Sequence, residues 1–171
     1  MKIVPATLDD IPALKVLIQN SYRGPVKGWT CDHQFLQGQR VSDEMLRDDL
    51  TKPGALFLKG VSDEGELIGC VFVDKHDDNF LFCGTLCVQP QLQNCGLGKK
   101  LMGVVEDVAR TEKCDGVKIH VVIGRTTLVE WYERQGFKQT GEREPFPDTN
   151  CYGVPTMPLE FIVMKKFFEL E

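Results

Sequence analysis

The chain has no excess of positive charge. Its 20 lysines and arginines are outnumbered by 25 aspartates and glutamates, for a formal net charge of -5. That argues against a general nucleic-acid or membrane-surface binder, which needs a basic face, and leaves room for a cationic substrate. No apolar run comes near the roughly 20 residues that cross a bilayer. The opening MKIVPATLDD lacks the long apolar core of a secretion signal. Internal repeats, low-complexity tracts and long linkers are also missing, so residues 1–171 read as one continuous domain. The seven cysteines are odd in number, irregularly spaced and never arranged as CxxC. Cys83 and Cys87 are expected on one face of a strand, too far apart to bridge along it. Reduced thiols in a cytoplasmic protein are the plain reading, and no metal site is expected.

What remains is the composition of a soluble globular protein, 42% hydrophobic and 26% charged over 171 residues. KIVPAT (2–7) reads as a first strand. Ile11, Leu14, Leu17, Ile18 and Tyr22 recur at helical spacing over 8–22, with Asp9 and Asp10 at the favourable end. Residues 23–40, with three glycines and a proline, break that pattern, and a long loop in a compact domain is often functional. A short helix over 42–50 starts on Ser42. Strands at 54–61 and 66–75 flank SDEG, a hairpin signal, and 80–90 is a third strand closed by Pro90. Then the rhythm changes to a helix at 96–113, a buried strand at 116–124 and a helix at 126–136 ending on Gly136. Strands at 137–144 and 160–168 flank a proline-rich loop, 145–158. Strand, helix and strand from 80 to 124 form a right-handed parallel crossover, so the fold class is α/β, a mixed sheet with helices on both faces.

The crossover turns from strand to helix at QNCGLGKK (93–100). Helix N-termini offer free N–H groups and partial positive charge, and Gly96 and Gly98 let an anion approach the backbone. Two phosphate loops fail on inspection. The P-loop needs Ser or Thr where Lys100 stands. The dinucleotide fingerprint needs glycine at Leu101 and an acidic residue after the next strand, where Gly124 and Arg125 stand.

The pattern Gln-x-x-Gly-x-Gly after a Val-x-Pro strand end, followed by Tyr132-Glu133-Arg134-Gln135-Gly136-Phe137, resembles the GCN5-related N-acetyltransferase (GNAT) family. The resemblance implies that strands 80–88 and 116–123 splay apart and admit the pantetheine arm of acetyl-CoA. Leu86, Cys87 and Val88 would then offer backbone to that arm and to the acetyl oxygen. Gln93, Asn94, Cys95, Gly96, Leu97, Gly98 and Lys99 would hold the pyrophosphate by their amides. Tyr132 would donate a proton to the departing sulfur. It further implies an amine acceptor, and a homodimer is common among relatives.

Three positions depart from the family pattern. Thr85 stands where many relatives carry a glutamate, and a hydroxyl cannot serve as a base near neutral pH. Arg125 replaces the asparagine that opens the last helix, and could reach the cofactor phosphates. Cys95 replaces a glycine or lysine in a loop that works through its backbone. For a general base, His120 is either cleft-facing or a strand histidine on a polar surface. Asp32 with His33 forms a second candidate, Glu142 with Glu144 a third, and a water chain a fourth. Trp29 and Tyr152, in the loops at 23–41 and 145–158, either line the acceptor pocket or anchor those loops. Asp32, Glu142, Glu144 and Asp148 would suit a cationic amine. An acetyl-CoA-dependent N-acetyltransferase is the leading expectation. A coenzyme A-binding regulatory module that has lost catalysis is the second.

Overall fold

In a computed structural model describing residues 1–169, the apolar stripe of α1 (Ile11–Arg23) buries Ile11, Leu14, Leu17 and Ile18. A short 3-10 turn, Leu8–Asp10, precedes it, with Asp10 Oδ2 accepting from the Thr7 amide at 2.7 Å. The first strand, β1 (Lys2–Pro5), therefore stops two residues earlier than its sequence suggests. A two-residue strand, β2 (Leu36–Gln37), interrupts the long loop. α2 (Asp43–Thr51) is capped by Ser42, whose Oγ accepts from the Met45 amide at 3.1 Å. Next come β3 (Ala55–Val61), β4 (Leu67–Lys75) and β5 (Phe80–Val88). α3 (Leu97–Thr111), β6 (Gly116–Val122) and α4 (Thr126–Arg134) follow. The chain closes with β7 (Lys138–Pro145), β8 (Val154–Pro155) and β9 (Glu160–Phe167). Strand β5 ends at Val88 because a 3-10 turn, Pro90–Leu92, takes over at the proline.

Seven strands form one mixed sheet in the order β1-β3-β4-β5-β6-β9-β7, and β2 pairs with β8 in a separate two-stranded ribbon. Among the described residues only β5 and β6 run parallel, as expected for a crossover through α3. One core lies against α3 and α4, with Leu101, Met102, Val105 and Phe137 at 1% exposure or less. The other lies against α1 and α2, around Leu14, Ile18 and Leu46. Both sheet faces are covered, so β4 is buried almost throughout.

The alternation along β5 breaks at a bulge. Phe72 faces Gly84 and Cys70 faces Cys87, so Val71 lies opposite two residues, Thr85 and Leu86. Thr85 has φ of +51°, a left-handed backbone that a β-branched residue adopts only under constraint. This overturns the expectation that Cys83 and Cys87 share a face. The extra residue resets the alternation, leaving Cys83 in the α3 core and turning Cys87 into the α1 core. There its sulfur lies 3.5 Å from that of Cys70, both thiols free.

Leu101 is fully buried where α3 meets β4 and β5. Leu101→Ala is expected to cost about 2–5 kcal/mol, read by urea denaturation. A loss below about 1 kcal/mol would mean that α3 is not packed on the sheet as described.

Candidate active site

The β5–β6 ladder joins Phe80 to Gly116, Leu81 to Val117 and Phe82 to Lys118, and then stops. Beyond it the two strands have no backbone pairing with each other. Each is held only from its outer side, by β4 and by β9. Backbone polar groups are costly to leave unpaired, so an extended ligand can add itself to these inner edges.

At the end of β5, Asn94 (φ +66°) and Gly96 (φ +80°) both adopt left-handed backbone. Such a turn lets successive amides converge on one point. A Cβ on Gly96 would meet no atom within 4 Å, so its face is open. Unlike α2, α3 has no side-chain cap, and its first-turn N–H groups are left for another acceptor. Cys95, Lys99 and Lys100 are exposed at this turn, while Leu97 packs on the core.

Gln93 braces the turn with its side chain. Nε2 donates to Val88 O at 3.1 Å, and Oε1 accepts from the Trp29 amide at 2.9 Å. Arg125, just before α4, grips the same segment, Nη2 donating to Trp29 O at 2.8 Å and Cys31 O at 3.3 Å. Trp29 stacks on Trp131 of α4, with centroids 5.1 Å apart and planes 15° apart. A Cβ on Gly98 would stand 3.3 Å from the Trp29 ring, so any side chain there would press on the ring. Trp29 thus covers the second glycine of the turn as well as edging the main cavity.

That cavity, about 550 Å³, runs from α2 past the open strands to α4. Leu86, Thr85 and Tyr132 meet in it. Tyr132 is 7% exposed and packs edge-on against Trp131 and Phe137. Burial holds the pKa of its hydroxyl well above 10. Across the cavity, His120 lies between Phe82 and Phe161, at 5.0 and 5.7 Å between centroids. Burial lowers its pKa below 6.5, more than Glu144 raises it. Phe146 and Tyr152 extend this aromatic wall.

Of the acidic candidates, Glu144 lines the cavity. Glu142 is exposed outside it, bonded to Thr140. Asp32 is 3% exposed and committed to Arg23, Nε–Oδ1 at 2.7 Å and Nη2–Oδ2 at 3.3 Å. Arg23 also donates to Gly38 O at 3.1 Å and to Tyr152 O, joining the two loops beside the cavity. Breaking such a buried pair costs about 3–5 kcal/mol, so Asp32 is a brace rather than a free base. His33 is exposed, with Nε2 3.0 Å from Gly24 O, and edges a smaller cavity with Arg125. Asp32 and His33 therefore do not form a pair. Asp148 is exposed and outside the main cavity. Sequence reasoning missed Arg23, Arg40 and Asp49, all of which lie in aperiodic or plainly amphipathic segments. Among the described residues there is no cluster of three metal-ligating side chains, and no helix is long and apolar enough to cross a membrane.

A mixed sheet whose one parallel pair opens beside a glycine turn defines an acetyltransferase-type fold. Residues 23–137 match the model of the acetyltransferase (GNAT) family, and the chain belongs to that family. Among solved structures, a GNAT family acetyltransferase from Elizabethkingia anophelis with acetyl-CoA bound is 18% identical, with a TM-score of 0.71 over 98% of this chain and 97% of that one. An N-acetyltransferase from Staphylococcus aureus Mu50 is 15% identical, with a TM-score of 0.73 over 97% and 96%. The protein YdhI of Bacillus subtilis (strain 168) is 25% identical over 80 residues. That alignment spans 46% of this chain and 47% of YdhI, so the match covers about half of each.

Burial raises the Asp49 carboxyl from its ordinary 3.8 to about 6, although Lys52 and Arg40 pull it down. The folded state then holds this proton more tightly than the unfolded chain. Its contribution is most favourable below about pH 4 and is lost as pH rises through about 6. Asp49→Asn is expected to remove that decline. Thermal melts from pH 4 to 7 should show the variant gaining on the parent as pH rises, and parallel curves would contradict it.

Proposed function

We propose that the chain is an acetyl-CoA-dependent N-acetyltransferase in which an amine attacks directly while both substrates are bound. The observation that carries this reading is the three-residue parallel ladder opening beside the uncapped start of α3. The inner backbone edge at Leu86, Cys87 and Val88 takes the pantetheine arm as an extra strand. The amides from Asn94 to Lys99 hold the pyrophosphate, and Lys99 adds charge. Arg125 supports the site through the Trp29–Cys31 segment it holds.

Bound acetyl-CoA supplies an activated thioester. The acceptor must lose a proton to attack. His120, kept neutral by burial and lining the same cavity, takes that proton directly or through water. The new C–N bond forms as the C–S bond breaks. Tyr132, protonated because burial opposes its phenolate, gives its proton to the sulfur and regains one through water from the nitrogen, which sheds it on becoming an amide.

The test is release of free thiol from acetyl-CoA across a panel of amines. Tyr132→Phe should lower kcat by about 100-fold while cofactor binding persists, and an unchanged kcat would remove Tyr132 from this role. Binding can be followed by intrinsic fluorescence, because the chain's two tryptophans, Trp29 and Trp131, stack at the edge of the turn. Gly96→Val should weaken coenzyme A by crowding the open face, while Cys95→Ser should do little. Equal effects would contradict the backbone cradle. Tight binding without turnover of any amine would instead favour a silent coenzyme A-binding module.

A further inference from the structure

Arg40 is the cavity's unassigned cation. It is half-buried, and its Cζ lies 4.5 Å from the Tyr22 ring centroid and 4.8 Å from that of Tyr152. Its backbone N–H donates to Gln19 Oε1 at 2.8 Å. Among the described residues, no carboxylate lies within ion-pairing distance of its guanidinium, and no acceptor takes a hydrogen bond from it. The other arginine lining the cavity, Arg125, is engaged with the carbonyls of Trp29 and Cys31, and nearby Arg23 is engaged with Asp32 and two carbonyls. The rings on either side favour a cation but leave its planar edge of N–H donors unmet. That edge matches a carboxylate in a two-pronged geometry.

The rest of the cavity narrows the ligand. Phe82, Phe161 and Phe146 make an apolar wall around His120. Asp48 and Asp49 line the α2 end, and Asp49 already feels the charge of Arg40, so the seat has room for one carboxylate and no further negative group. We propose that the acceptor amine also carries one carboxylate, seated on Arg40, and an apolar body of aromatic size lying along the phenylalanine wall. This rests on the acetyl-transfer reading and names the substrate class for the same site: an amino acid with an aromatic or similarly large apolar side chain.

The experiment compares pairs differing only in the carboxylate, phenylalanine with phenethylamine and tryptophan with tryptamine, by thiol release from acetyl-CoA using the full chain. A parallel titration uses 3-phenylpropionate, which has the carboxylate and ring but no amine. The carboxylate-bearing partner is expected to show a kcat/KM higher by about 30-fold, and Arg40→Met should erase most of that ratio. The parent should bind 3-phenylpropionate and the variant should not. Equal or better use of the decarboxylated amines overturns the proposal, as does an equal loss on both members of a pair in Arg40→Met. If Arg40→Met does not fold, the comparison within the parent decides alone. Binding of 3-phenylpropionate through Arg40 without turnover of any amine would sink the acetyl-transfer reading and keep the carboxylate seat. Turnover without carboxylate preference would do the reverse.

Discussion

The ladder between β5 and β6 holds for Phe80, Leu81 and Phe82 and then opens, and the candidate site is organised around that opening. Two parallel strands in the middle of a sheet would ordinarily pair along their shared length. Here each keeps its outer partner, and beyond Phe82 neither pairs with the other, Val88 O being taken by the Gln93 side chain. The bulge at Thr85–Leu86 contributes by shifting the alternation of β5 where Thr85 and Leu86 line the cavity. The left-handed Thr85 is the local strain in this arrangement, and backbone strain of this kind gathers at functional sites.

An open sheet needs support from outside it. Gln93 ties the end of β5 to the Trp29 segment, Arg125 ties that segment to the start of α4, and Arg23 ties α1 to both flanking loops. The β2–β8 ribbon joins the two loops, Leu36 opposite Pro155 and Gln37 opposite Val154. These polar braces are largely sheltered from water, where hydrogen bonds to charged groups are worth more than on the surface. The loops therefore form fixed walls for the cavity, and its aromatic and charged side chains are presented from a scaffold.

Periodicity made the helices and most of the sheet legible, because amphipathic stripes such as Leu101, Val105 and Val108 arise from local geometry. The glycine turn was legible for the same reason: Gly96 and Gly98 sit where a strand becomes a helix. Cys87 was misplaced because a bulge leaves no period-2 trace when both faces of a strand are apolar. Asp32 was read as a candidate base beside His33 because its partner, Arg23, looks in sequence like the polar end of α1. Arg40 could not be found at all. Its meaning depends on Tyr22 and Tyr152, which lie far from each other along the chain and meet only in the fold.

Amide hydrogen exchange with and without acetyl-CoA tests the open strand pair most directly. Exchange at the inner-edge amides of Leu86–Val88, and at Gly96 to Lys99, should slow when the thioester is added, with distant β1 and β3 unchanged. Unaltered exchange at those amides, under conditions where acetyl-CoA is bound, would mean that the ligand sits elsewhere and that the gap between β5 and β6 is not its seat.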